Sequence, residues 1–403
     1  MDAPHPLRPF GVGRAPGAHL ESAGMARPAQ RFLRQFILKV HSRCDLACDH
    51  CYVYTMADQR WRERPVVMSR RTARQAADRI AEHAHAHGLA GVDVVLHGGE
   101  PLLAGPDRLA FCVSAVREAV GPRTAVRVGL QTNGLRLDSR FLRLFGELGV
   151  RVGVSLDGSR QAHDRRRKRR GGTGSYAAVA ESLTALRRHP EVYGGLLCTV
   201  DVRNDPVETY ESLLRFDPPA VDFLLPNGNW SSPPPGRGPG TTATPYADWL
   251  IAVFDRWYRA PVRETRVRLF TEVLHVLLGG QSAVEGIGLS APPMAVVETD
   301  GSIEASDMLT SAYQGAAATG CHVATDSFDD ALRSPALRAP EIAPDCRSCR
   351  LHRVCGGGLH AHRYRRGGGF ANPSVYCPDL YRLIGHIRDT VARDVARLRE
   401  EPA

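Results

Sequence analysis

The sequence predicts an α/β fold: a partial (β/α)6, TIM-like barrel followed by a loop-rich C-terminal module. Three observations predict it. Short apolar runs alternate with stretches of helical spacing from residue 35 to residue 258, the texture turns irregular after Gly288, and seven of the ten cysteines fall into two clusters, one in each part. Repeated strand-helix alternation favours a parallel sheet, and right-handed crossovers curl six such units into a partial barrel. A chain of 403 residues has ample length for such a core and a smaller module.

Residues 1–30 are rich in Pro, Gly and Arg without apolar periodicity and read as a mobile arm. The barrel is expected over 31–240. Its strands are read at 35–40, 92–97, 125–130, 150–156, 195–202 and 221–225, with helices at 71–87, 106–120, 139–148, 176–188 and 207–215 between them. A helix at 246–258 completes the sixth unit. The Pro/Gly segment 231–239 is a linker, and 241–290 is a bridging region, helical from 246 to 278. A hairpin at 296–303, bent at Asp300-Gly301, opens a module over 291–385, and 386–403 forms a terminal helix and tail. The stretch from Cys346 to Cys377 is too irregular to build a core alone, so a metal is expected to stabilise it.

No apolar run reaches the ~18 residues of a membrane helix, and the N-terminus lacks the apolar centre of a secretory signal. A soluble, cytoplasmic protein without a membrane partner is expected. Ten cysteines in a reducing compartment point to metal binding or catalysis rather than disulfides. The formal charge of +9 is carried mainly by arginine, and its densest run, 165–170, lacks the interleaved aromatics that stack bases. That run reads either as a solvated loop or as a contact surface for something acidic, and no nucleic-acid partner is expected.

Cys44, Cys48 and Cys51 follow the first strand, at the carboxyl end of the barrel, the face that carries chemistry in parallel barrels. Three close thiolates can hold three irons of a 4Fe-4S cluster and leave the fourth open. Structural zinc needs four closed ligands, and only His41 or His50 lies near. Asp49 and His50 read as loop residues. His97-Gly98-Gly99-Glu100 ends the second strand, Gln131 and Asn133 the third, and Ser155 and Asp157 the fourth, with Arg167 twelve residues beyond Ser155. Any one of these could be plain turn chemistry. Cys346, Cys349, Cys355 and Cys377 suit either an iron-sulfur cluster or structural zinc. Cys112 and Cys198 read as buried inert thiols, and Cys321 as a free thiol.

The C-x3-C-x2-C spacing with these strand-end motifs resembles the radical S-adenosylmethionine (SAM) superfamily. The resemblance implies a 4Fe-4S cluster on Cys44, Cys48 and Cys51, with SAM on the open iron, cleaved reductively to a 5'-deoxyadenosyl radical. It further implies that Gly98, Gly99 and Glu100 meet the methionine ammonium, that Tyr52 lies near the adenine, and that Ser155 and Arg167 hold ribose and carboxylate. Gln131, Asn133 and Asp157 complete the expected cofactor contacts. The second cluster resembles the distal half of a SPASM domain. Ser306 and Leu359 stand where two inner-cluster cysteines would be, so one auxiliary 4Fe-4S cluster is implied.

Segments 36–44, 57–61, 98–105, 300–302, 315–320, 355–358 and 372–377 resemble the FxsB type of radical peptide maturase. That likeness implies a cyclophane cross-link between an aromatic ring and a β-carbon in a ribosomally made precursor peptide, with an external electron donor. Asp307 is the candidate base, its alternative being a hairpin carboxylate in solvent or an ion pair. Leader binding is expected at the barrel rim, the arm, the 165–170 loop or a separate protein. The competing readings are another SPASM-type modification, namely thioether or formylglycine formation, and a non-catalytic zinc-stabilised binding module.

Overall fold

The computed structural model describes residues 32–238, 240–282, 284–289, 294–338 and 341–400; the arm expected at 1–30 lies outside them. The strands are β1 (Gln35–His41), β2 (Gly91–Gly98), β3 (Ala125–Thr132), β4 (Val150–Ser155), β5 (Tyr193–Thr199), β6 (Ala220–Leu224), β7 (Arg266–Val267), β8 (Met294–Val297), β9 (Ser302–Glu304) and β10 (Ala318–His322). They form one sheet in the order β10-β9-β8-β1-β2-β3-β4-β5-β6-β7. From β8 to β7 every neighbour is parallel, while β9 and β10 run antiparallel. Apolar side chains such as Phe36, Leu38, Val94, Leu96, Leu130, Val152 and Val154 are almost fully buried and make the core.

Local chemistry sets the helix starts. Ser69 accepts from the Thr72 amide ahead of the Arg70–Ala86 helix, Asp138 from Arg140 and Phe141 ahead of Ser139–Glu147, and Asp205 from Glu208 ahead of Pro206–Leu214. Proline opens Pro106–Val120, Pro206–Leu214 and Pro245–Tyr258, where its missing N–H costs nothing.

The expected partial barrel is present, with two differences. The helical region read at 246–278 is two helices, Pro245–Tyr258 and Arg268–Leu277, separated by β7, which extends the parallel set to a seventh strand. Pro261 stops the first helix, and a two-residue strand is too short to show periodicity. The hairpin read at 296–303 is β8–β9, with Gly301 at φ +102° in its bend. It joins the barrel sheet directly, Ile37 of β1 pairing with Val296 of β8. The segment after β9 is thereby brought beside β1.

The four-cysteine segment consists of single turns, Pro344–Arg347, His352–Cys355 and His360–Arg363, followed by the Cys377–Glu400 helix. Asp379 anchors it, accepting from the Tyr246 and Ala247 amides at 3.0 Å each at the start of the Pro245–Tyr258 helix. Among the described residues no helix is long and apolar enough to cross a membrane.

Candidate active site

Strand β1 delivers the chain into a loop holding Cys44, Cys48 and Cys51, and Cys51 begins the short Tyr52–Thr55 helix. Two N–H groups point at Cys44 Sγ: the Leu46 amide at 3.4 Å and Asn133 Nδ2 at 3.6 Å. Asn133 also donates to Asp45 at 2.8 Å, so the end of β3 braces the loop. Burial pushes the Cys44 thiol up to about 12 and Cys48 to about 11. Thiols in that state become thiolates only against a bound cation.

The Gly-Gly-Glu motif supports this loop from beneath. A Cβ at Gly98 would overlap the His41 carbonyl, and one at Gly99 would overlap the Tyr54 hydroxyl and the Arg43 backbone. Their amide edge closes on the same loop, the Gly99 N–H donating to His41 O at 2.8 Å and the Glu100 N–H to Arg43 O at 2.9 Å. Glu100 is fully buried and accepts from the Leu102 amide (3.0 Å), the Thr132 hydroxyl (2.7 Å) and the Asn133 amide (2.8 Å). Its carboxylate thus ties the end of β2 to the end of β3, and burial raises its pKa to about 7.

Around the loop, Gln131 donates to the Ser155 hydroxyl at 3.1 Å. Arg167 forks onto Asp157 at 2.6 and 3.2 Å, and Asp157 also accepts from the Thr199 amide at 2.9 Å. Arg167 lies close enough to Cys48 to lower that thiol's pKa against the burial effect. His50 approaches Asp157 at 3.8 Å and is kept neutral by burial. The structure therefore gathers Tyr52, Gly98, Gly99, Glu100, Gln131, Asn133, Ser155, Asp157 and Arg167 at one end of the sheet, around three cysteines.

Asp307 belongs to the same end. It starts the Asp307–Ser311 turn after β9 and is buried rather than solvated. The Tyr52 hydroxyl donates to its Oδ2 at 2.9 Å, and Lys39 of β1 pairs with the same oxygen. Despite burial, Lys39 and His97 hold its carboxyl below the usual range. Lys39 was not singled out from the sequence, although a lysine inside the apolar run of β1 was a visible signal.

A second feature missed from sequence joins the loop to the hairpin. Arg64 pairs with Glu298 at 2.7 Å and with Glu304, and Arg60 pairs with Glu304 at 2.8 Å and Asp58 at 2.6 Å. The Asp58 amide donates to Thr310 O at 3.0 Å, three residues beyond Asp307.

Cys346, Cys349, Cys355 and Cys377 line a common pocket with Leu351, His352 and Tyr381. The Leu351 amide points at Cys349 Sγ at 3.4 Å. Among the described residues, the trio of potential ligand atoms lying within 4.8 Å of one another is His83, His87 and Asp329, not any set of these sulfurs. Four thiolates around one zinc stand about 3.8 Å apart, given ~2.3 Å Zn–S bonds. Among the described residues no three of these sulfurs lie within 4.8 Å of one another, and thiolates at both sites make a donor set that fits iron-sulfur clusters. Ser306 donates to the half-buried Glu285 at 3.2 Å, and Gly286 abuts Leu359, so protein fills the positions where inner-cluster cysteines would stand. Cys112 and Cys198 are buried, in a helix and in β5, and Cys321 is half-buried in β10.

Residues 38–214 match the Radical SAM superfamily. The chain is 22% identical over 359 residues to a cysteine-type anaerobic sulfatase-maturating enzyme of Clostridium perfringens, covering 86% of this chain and 93% of that one. It is 22% identical over 383 residues to a serine-type anaerobic sulfatase-maturating enzyme of Bacteroides thetaiotaomicron, covering 89% and 90%. A solved structure described as native anSMEcpe with bound AdoMet superposes with a TM-score of 0.76 at 20% identity, covering 90% of this chain and 99% of that one. These matches correct the cyclophane expectation. Relatives aligned along most of the chain are sulfatase-maturating enzymes, and the short segments likened to FxsB maturases are outweighed by that alignment. The cofactors are SAM and 4Fe-4S clusters, including an auxiliary cluster. Residues 38–214 thus carry the Radical SAM superfamily match, within a chain similar along most of its length to the anaerobic sulfatase-maturating enzymes.

Proposed function

We propose that this enzyme oxidises a serine or cysteine side chain of a peptide or protein substrate to formylglycine. The relatives' names support the reaction type. The observation that carries it here is Asp307, paired with Lys39 and accepting from the hydroxyl of Tyr52, the residue that follows Cys51.

Cys44, Cys48 and Cys51 would hold the cluster that binds SAM, whose reductive cleavage supplies a radical able to take a hydrogen atom. Cys346, Cys349, Cys355 and Cys377 would hold the auxiliary cluster, a one-electron site. Asn133, the Leu46 amide and Arg167 steady the first loop, and Glu100 fixes the strand ends behind it. Once the substrate carbon has lost a hydrogen atom, its hydroxyl or thiol becomes far more acidic. We assign Asp307 as the base for that proton, and loss of one further electron, for which the auxiliary cluster would be the acceptor, completes the two-electron oxidation. A serine then yields the aldehyde directly, whereas a cysteine yields a thioaldehyde that water hydrolyses with release of sulfide.

Anaerobic incubation with SAM, reductant and two peptides, one bearing the target serine and one the target cysteine, tests this. A hydrazide-reactive aldehyde in either peptide is expected. Vigorous 5'-deoxyadenosine formation with no aldehyde in either would refute the assignment.

A further inference from the structure

The basic run at 165–170 divides in the structure. Arg165 and Arg166 pair with Asp201 at 3.6 and 3.2 Å, Arg166 also pairs with Asp49 at 2.8 Å, and Arg167 is committed to Asp157. Lys168, Arg169 and Arg170 are exposed, and among the described residues none has a carboxylate partner. They form one side of a small hairpin in which Lys168 bridges Gly174 and the Arg169 N–H donates to Thr173 O at 2.8 Å.

This hairpin is bonded to the cysteine loop itself. Leu46 bridges Arg169, the Ala47 N–H donates to Lys168 O at 2.8 Å, and the Arg170 guanidinium donates to Cys44 O at 2.9 Å. Ala47 is exposed. The loop's own acids do not offset these cations, because Asp45 is paired with Arg136 at 2.9 Å and Asp49 with Arg166. The loop therefore has two unlike flanks. Tyr52, next to Cys51, bonds the buried Asp307, while Cys44 to Ala47 lie under a positively charged surface element.

We propose that the 168–174 hairpin is the docking surface for an acidic one-electron carrier protein. The reaction needs an electron from outside, and the Asp307 flank is where substrate must sit, which leaves the Cys44 flank for its delivery. Three unpaired cations beside that flank would steer and orient an acidic carrier. One electron passes from the carrier's reduced flavin or iron-sulfur group to the enzyme; the carrier is oxidised by one electron and no bond is made or broken. An acidic substrate peptide bound here would lie on the flank away from Asp307. The proposal rests on the radical SAM assignment.

Reduced and oxidised flavodoxin serve as the probe. Calorimetry should show oxidised flavodoxin binding the full-length enzyme at low salt, weakening roughly tenfold or more toward about 0.2 M salt. Lys168→Glu with Arg169→Glu should weaken low-salt binding by a similar factor, and Lys168→Arg with Arg169→Lys should restore it. Bleaching of the enzyme's visible absorption by flavodoxin hydroquinone should slow in parallel, with bleaching by dithionite and iron content unchanged. Unchanged flavodoxin affinity in the charge-reversed variant would overturn the proposal, as would loss of substrate-peptide affinity in its place. Enzyme that retains no iron after anaerobic reconstitution would count against the radical SAM assignment instead, and the salt-dependent binding of oxidised flavodoxin would still decide the docking surface.

Discussion

Asp307 and Lys39 are one buried unit, and the consequences of changing either follow from that. Asp307→Asn leaves an ammonium facing a neutral amide, so about 3 kcal/mol of stability should be lost, whereas the double change Lys39→Met with Asp307→Asn should recover most of it in thermal melts. If Asp307 is the base, Asp307→Asn should also cut aldehyde formation by roughly a hundredfold or more while SAM cleavage continues. Full aldehyde yield from this variant would remove the base assignment. The Asp307 pKa is lowered in the folded state, so its contribution is complete above the usual carboxylate value and fades as pH falls through the lower folded value. Glu100 has the opposite sign. Its pKa of about 7 means the folded state holds the proton more tightly, so its effect on stability worsens as pH rises from the usual glutamate range to about 7. Glu100→Gln abolishes that slope but sets an NH2 against either the Asn133 or the Leu102 amide, whichever way it is turned. A net loss of about 1–3 kcal/mol is expected, read by denaturant titration across pH. The sequence displayed Glu100 in a recognisable motif, but its direction, into the strand ends rather than outward, depends on partners thirty residues away.

At the scale of elements, the cysteine loop is shaped by what lies beneath and beside it. Gly99→Ala would force Tyr54 and the Arg43 backbone away and spread the loop. Reconstituted protein should then hold about four irons per chain where the wild type holds roughly eight, by colorimetric iron assay. Arg64 is the hinge pin of the loop-hairpin junction, buried between Glu298 and Glu304. Arg64→Ala leaves these two carboxylates without their shared cation and should cost about 3–5 kcal/mol, while distant surface arginines such as Arg74 should be nearly neutral. The strands and main helices were legible because alternation and helical spacing are local. β7 was not, being two residues long, and the ion pairs joining 58–64 to the hairpin were not, because their partners are some 240 positions apart.

Across the whole molecule, the C-terminal segment of single turns depends on its cluster and on Asp379 docking against the Pro245–Tyr258 helix. Cys355→Ala with Cys377→Ala should therefore make the 341–376 stretch sensitive to limited proteolysis while the barrel fragment persists. Equal resistance of variant and wild type would show that protein packing alone holds the module. By itself, the sequence determined the strand-helix order, the two cysteine groups and the strand-end motifs, because thiolate spacing and periodicity are properties of short segments. Only the tertiary structure decided that the hairpin joins the barrel's own sheet at β1, bringing Asp307 to Lys39 and Tyr52, and that a basic hairpin is bonded to the cysteine loop. Those pairings are set by sheet edges and buried charge, which meet only when distant segments fold together.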